Sequence, residues 1–155
     1  MSHSSKITVR LAAPADAEII ARFNVLLARE TEGYQLDRAT VLAGVQAVLD
    51  DPHKGRYFLA SVGERVVGQV MHTFEWSDWR NGELWWLQSV YVDTEFRRRG
   101  VFRRLFQHVL DEAKQSPHVR GIRLYVENVN FGARLAYEKL GLDHARYFVL
   151  QHLFD

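Results

Sequence analysis

Five arginines crowd a single glycine: Arg97, Arg98, Arg99, Arg103 and Arg104 surround Gly100. The apolar residues that follow, Val101, Phe102, Leu105, Phe106, Val109, Leu110 and Ala113, recur at helical spacing, so the arginines stand where a helix begins. That end of a helix carries partial positive charge and disfavours cations. An anion removes the conflict. Unpaired N–H groups of the first turn, a flexible glycine and nearby guanidinium groups together make a phosphate cradle. A diphosphate-bearing cofactor is the natural candidate. The competing reading is a solvated basic face, but Gly100 between a buried strand and a helix favours the cradle. Gly100 is not followed by Lys and Ser or Thr, and it stands alone, so neither the P-loop nor the dinucleotide fingerprint is present.

The elements that position this turn are legible from periodicity. An apolar run over residues 7–11 reads as a strand, and Ile19, Ile20, Phe23, Leu26 and Leu27 mark one face of a helix behind Pro14 and Asp16. Asp37 caps a second helix that carries Val41, Leu42, Val45, Val48 and Leu49 and ends at Asp51-Pro52. Residues 57–62 and 66–76, joined by Gly63-Glu64-Arg65, predict a hairpin, and Asn81-Gly82 turns the chain again. Residues 84–92 follow, with Leu84, Trp86, Val90 and Val92 on one face and Trp85, Leu87 and Tyr91 on the other. Apolar on both faces, this strand belongs in the middle of a covered sheet. After the helix come a short strand over 122–126, a helix over 130–140 with Gly141 as its left-handed cap, and a final strand over 145–154.

With 155 residues, 47% of them apolar, the chain is expected to form one domain over 1–155 around one core, with residues 1–6 disordered. No apolar window is long enough to cross a bilayer and the polar start lacks a signal peptide's apolar stretch, so a cytoplasmic protein with no membrane association is expected. The absence of cysteine excludes disulfides, thiolate metal sites and a cysteine nucleophile. A net charge of +1 is far from the field that drives nonspecific nucleic-acid binding. Seven histidines show no H-x-x-x-H or H-E-x-x-H spacing, and no metal site is expected; His72 and His108 read as ordinary packed or surface side chains. Trp76, Trp79, Trp85 and Trp86 fit either an acceptor pocket or, as strands more commonly use such residues, a core or interface.

Residues 87–102, Leu-Gln-Ser-Val-Tyr-Val-Asp-Thr-Glu-Phe-Arg-Arg-Arg-Gly-Val-Phe, resemble the acetyl-CoA-binding motif of the GNAT acetyltransferase superfamily, written Q/R-x-x-G-x-G/A. Arg97 and Gly100 match it; Phe102 stands where the family usually has glycine or alanine, and Thr94 where it often has proline. Asn130-x-x-Ala133-x-x-x-Tyr137-x-x-x-Gly141-Leu142 is similar to the family's downstream N-x-x-A-x-x-x-Y-x-x-x-G-F element. The element order is also similar over nearly the whole chain. The resemblance implies an α+β fold, a mixed and mostly antiparallel central sheet flanked by helices. It implies acetyl-CoA as cosubstrate, with amides around Arg98, Arg99, Gly100, Val101, Phe102 and Arg103 on the pyrophosphate, Val90 and Val92 along the pantetheine arm, and Asn130 on the cofactor. Tyr137 occupies the position that often protonates the departing thiolate.

These readings imply acetyl transfer to an unidentified primary amine by direct attack, with strand N–H groups stabilising the oxyanion. Glu75, Asp78 and Glu83 lie near strand ends or turns, which leaves no evident base and makes a water relay one route. Gln88 and Ser89 interrupt the apolar strand, and each needs a partner, whether substrate, cofactor or an internal group. A non-catalytic acyl-CoA-binding module and a nucleic-acid module remain alternatives, the latter disfavoured by the near-neutral charge. The apolar stretch over 146–154 is expected to pair across a homodimer. Light scattering that returned a monomer mass would rule this out.

Overall fold

A computed structural model describes residues 6–127 and 129–154, so the expectation of disorder over residues 1–6 falls largely outside the described residues. The chain divides into two compact units, one running to Leu124 and a smaller one from Tyr125. The larger unit contains strands β1 (Ile7–Leu11), β2 (Arg56–Val62), β3 (Arg65–Ser77), β4 (Gly82–Val92) and β5 (Val119–Leu124), with helices α1 (Ala17–Glu32), α2 (Arg38–Asp50) and α3 (Val101–Gln115). The strands lie side by side in chain order. All neighbours are antiparallel except β4 and β5, which run parallel on either side of α3 in the chain. This is the expected mostly antiparallel α+β sheet.

Strand alternation assigns the two faces of the sheet. Tyr57, Leu59 and Met71 meet Ala17, Ile20 and Ala21 of α1 and Val45 of α2 in one buried cluster. Asp37 caps α2 as predicted, its carboxylate accepting from the Thr40 N–H at 3.0 Å. Phe58 lies on the opposite face, with its ring 4.8 Å from His108 of α3. Gly68 allows α3 to come close to β3, because a Cβ there would stand 2.9 Å from Val101 Cγ1 and 3.1 Å from the Tyr91 carbonyl oxygen.

The two-face reading of β4 needs one correction. Gln69 pairs with Tyr91 but Met71 pairs with Gln88, so Ser89 and Val90 together oppose Val70. This is a bulge, with Ser89 in the left-handed region at φ 51°. One extra residue reverses the facing of everything beyond it. Tyr91 therefore turns to the α1 face, its ring 5.0 Å from Phe23, instead of sharing a face with Trp85 and Leu87.

The aromatic residues divide in the same way. Trp85 is buried, stacked on His72 with ring centroids 3.9 Å apart, whereas Trp76 and Trp79 are exposed. His72 is fully buried and neither ring nitrogen has a hydrogen-bond partner among the described residues.

In the smaller unit, α4 (Phe131–Lys139) is bracketed by its own ends. Asn130 Oδ1 accepts from the Ala133 N–H at 3.1 Å. At the far end the Leu142 N–H donates to the Tyr137 carbonyl and the Gly141 N–H to that of Glu138, with Gly141 at φ 94°. This is the two-bond left-handed cap expected of glycine. The predicted final strand over 145–154 does not form: no strand is assigned there, and Phe148, Leu150 and Phe154 are at least 90% exposed. Its apolar content resembles a strand, but a strand needs a ladder partner.

Burial, reinforced by the nearby Arg56 charge, lowers the His72 pKa from the usual 6.5 to about 4. Between those values the unfolded chain binds more protons than the folded one, so stability falls as pH drops through that window. At roughly 1.4 kcal/mol per pKa unit, about 3 kcal/mol is lost by pH 4. His72→Phe retains a stacking ring without the titration. Urea unfolding should therefore show the stability difference between variant and wild type shifting by about 3 kcal/mol from pH 7 to pH 4; a pH-independent difference would refute this.

Candidate active site

The backbone of β4 beyond the bulge forms one wall of the candidate site. β5 pairs with β4 only from Glu83 to Leu87. Beyond Leu87, no described strand lies on that side of β4. The Asp93 N–H donates to Val67 of β3 at 2.8 Å. Because successive residues of a strand point their amide groups to opposite sides, those of Val90 and Val92 point away from β3. The Val92 carbonyl accepts Nε of Arg97 at 2.9 Å. The Val90 and Val92 N–H groups are thus open to a ligand lying along the strand.

The β4–α3 turn forms the second wall. Asp93 starts it, one carboxylate oxygen accepting from the Glu95 N–H and the other pairing with Arg65 at 3.0 Å. Arg98 at φ 64° and Gly100 at φ 83° are both left-handed, a conformation that costs a non-glycine residue such as Arg98 roughly 1–2 kcal/mol. Gly100 is the N-cap of α3 and has no side chain to cap it, which leaves the first-turn N–H groups of Val101, Phe102 and Arg103 available to an anion.

A cavity of about 490 Å3 joins the two walls, lined by Val90, Tyr91, Val92, Phe96, Arg97, Arg98, Gly100, Val101, Phe102 and Arg103, with Leu27, Glu30 and Thr31 of α1. Of the expected cofactor-binding residues, it gathers Val90, Val92, Arg97, Arg98, Gly100, Val101, Phe102 and Arg103. Phe102 lines the cavity without closing it. Arg99 is not among the lining residues; its guanidinium lies 5.1 Å from the Phe96 ring. Asn130 and Tyr137 belong to the smaller unit. The Asn130 side-chain oxygen caps α4, and burial pushes the Tyr137 phenol above its usual pKa.

The arginines divide the work, which changes the electrostatic reading. Arg97 is held by the protein itself, bonded to Glu30 at 2.7 Å and lying over the Tyr91 ring. The Glu30 hydrogen bond is the main reason its pKa rises, while burial is the main reason that of Tyr91 rises. Arg104 reaches the Ile7 carbonyl at 3.5 Å. Arg98 and Arg103 make no ion pair among the described residues, so they are the charges left for an anion at the cavity.

Sequence reasoning missed the α1 contribution and the core side of the bulge. Gln69, 0% exposed, donates through Nε2 to the Ser89 carbonyl at 2.9 Å and to Asn24 Oδ1 at 2.8 Å. Asn24 Nδ2 donates in turn to the Tyr57 hydroxyl at 3.1 Å. Gln69 Oε1 is buried without a partner among the described residues, at a cost of about 1–3 kcal/mol. A polar residue within the otherwise apolar run over 66–71 of β3 was the available signal. Of the two polar residues noted on β4, Gln88 bonds internally, donating to Thr73 Oγ1, and Ser89 is the bulge. The acids near strand ends are also engaged: Glu75 accepts from Arg123 at 3.0 Å and from the Trp86 indole, Glu83 from that of Trp85, and Asp78 from the Trp79 N–H.

Together, an open strand edge, an uncapped helix N-terminus and two uncommitted arginines, set on a mostly antiparallel sheet, have the chemistry to suit an elongated anionic ligand. The sequence model of the acetyltransferase (GNAT) family matches residues 21–142, and the chain belongs to that family. A possible acetyltransferase from Clostridium difficile 630 is 43% identical and superposes with a TM-score of 0.90 over 96% of this chain and 98% of its own. Ribosomal-protein-alanine N-acetyltransferase from Brucella melitensis biovar Abortus 2308 shares the fold at 16% identity, TM-score 0.78, over 96% and 100% of the two chains. So does an aminoglycoside acetyltransferase from an uncultured soil metagenomic sample, at 13% identity, TM-score 0.78, over 96% and 97%. No curated protein matches the chain. Acetyl transfer is the chemistry of the family, and acetyl-CoA its general donor. Among the described residues no helix is long and apolar enough to cross a membrane.

The Arg97–Glu30 pair is half-exposed, and such pairs contribute at most about 1 kcal/mol to global stability. Its expected effect is local. Glu30→Gln should speed amide hydrogen exchange over residues 97–100 while changing urea-measured stability by less than about 1 kcal/mol; unchanged exchange there would show that Glu30 does not fasten the turn.

Proposed function

We propose that this protein transfers acetyl from acetyl-CoA to a primary amine by direct attack in a ternary complex. The observation that carries this reading is the continuity of the open Val90–Val92 backbone with the uncapped first turn of α3 in one cavity. The Val101, Phe102 and Arg103 amides, with the Arg98 and Arg103 side chains, hold the pyrophosphate; Arg97 and Gly100 shape the turn. The Val92 N–H and the Val90 carbonyl pair with the pantetheine arm, which leaves the Val90 N–H for the acyl group. Arg99 and Asn130, also expected at the cofactor, act mainly through the scaffold in this reading.

The amine nitrogen adds to the thioester carbonyl carbon, and the oxyanion so formed accepts the Val90 N–H. When the C–S bond breaks, Tyr137 gives its phenolic proton to the sulfur, and the amine's surplus proton leaves through water. A phenol, with an ordinary pKa of about 10, carries that proton at neutral pH, and burial raises the value further. Two of the fold relatives are named for amine acceptors of very different size, a protein's alanine and aminoglycosides, so the amine itself is assigned only as a class.

Calorimetric titration with acetyl-CoA, against free CoA and ATP, followed by an amine panel, tests the reading. Saturable acetyl-CoA binding with turnover is expected; binding without turnover would favour a non-catalytic acyl-CoA-binding module. Tyr137→Phe should lower kcat about 100-fold and leave the acetyl-CoA Kd within about threefold. Unchanged turnover would remove Tyr137 from the mechanism.

A further inference from the structure

The peptide joining Ser89 to Val90 is fixed from inside the core. A trans peptide points its C=O and the following N–H in opposite directions. The Ser89 carbonyl is turned inward to Gln69 Nε2 at 2.9 Å, so the Val90 N–H must point the other way, from a residue that lines the cavity. Only a donor can meet a carbonyl, which fixes the amide of Gln69. Its second N–H then requires an acceptor, Asn24 Oδ1, and Asn24 Nδ2 requires another, the Tyr57 hydroxyl. Donation thus runs outward from Gln69 in two directions, to the bulge at Ser89 and through Asn24 of α1 to Tyr57 of β2.

We propose that Gln69 is a positioning residue of the acetyl-transfer site, anchored by Asn24, which holds the Ser89–Val90 peptide so that the Val90 N–H is delivered to the acyl carbonyl. The inference rests on the proposed reaction for its catalytic consequence. The costs support it: Gln69 Oε1 stays buried without a partner among the described residues, and Ser89 keeps a left-handed backbone that serine rarely adopts. An apolar side chain at position 69 would avoid the first cost, but it would leave an inward-facing carbonyl unmet and release the peptide.

Gln69→Met, which removes both donors at similar length, is compared with Asn24→Ala, which removes only the anchor, and with Val45→Ala, a core variant in α2 remote from the bulge. Each is measured for acetyl-CoA Kd, kcat and the NMR backbone shifts of Ser89 and Val90. Gln69→Met should lower kcat about 10- to 100-fold with Kd within about threefold, as expected for a donor that acts in the transition state. Asn24→Ala should shift kcat the same way by less, and Val45→Ala not at all. The Ser89 shifts should leave their left-handed values, and the Val90 shifts should move with them, in the first two variants only. Should Gln69→Met not fold, Asn24→Ala decides alone. A kcat no lower than that of Val45→Ala, or unmoved Ser89 and Val90 shifts, would overturn the proposal. If wild type neither binds nor turns over acetyl-CoA, the reaction reading fails and the shifts alone decide whether Gln69 holds the peptide.

Discussion

An antiparallel ladder consumes the amide groups of a strand, and a ligand that pairs with backbone needs some left unconsumed. β4 solves this with one surplus residue. Up to Leu87 the strand is paired on both sides, and at Ser89 the bulge breaks its alternation, beyond which β5 no longer follows. The same insertion brings Tyr91 over to α1, where Glu30 accepts its hydroxyl at 3.3 Å and also holds Arg97. The exposed edge, the docking of α1 and the anchoring of the arginine turn therefore all depend on the irregularity at Ser89.

The charge arrangement at α3 is less unfavourable than a row of five arginines suggests. Carboxylates, carbonyls and aromatic faces neutralise or occupy the members that shape the turn, Arg97 held by Glu30 and Arg99 lying 5.1 Å from the Phe96 ring. The residual field is concentrated on Arg98 and Arg103 beside the uncapped amides, where it is useful to an anion and costs least when one is present.

The order of the elements was legible because helices of sixteen and fifteen residues and two-residue alternation leave strong periodic signals. The turn at Gly100 was legible because glycine and arginine types mark it. The bulge was not, because Ser89 has none of the residue-type signals that mark a left-handed position, and Gln69 acts on it across twenty residues of sequence. The tail over 145–154 misled in the opposite direction: its composition is that of a strand, yet strand formation depends on a neighbour that composition does not reveal.

The helix that carries Tyr137 has nine residues, none of them fully buried, and its ends are tied by Asn130 and by the Gly141 turn. Helices this short are marginal in water, so end caps of about 1 kcal/mol decide whether the helix persists. Any function of the phenol is then sensitive to local fraying at these two caps. Heat would erode such a function gradually as the caps loosen.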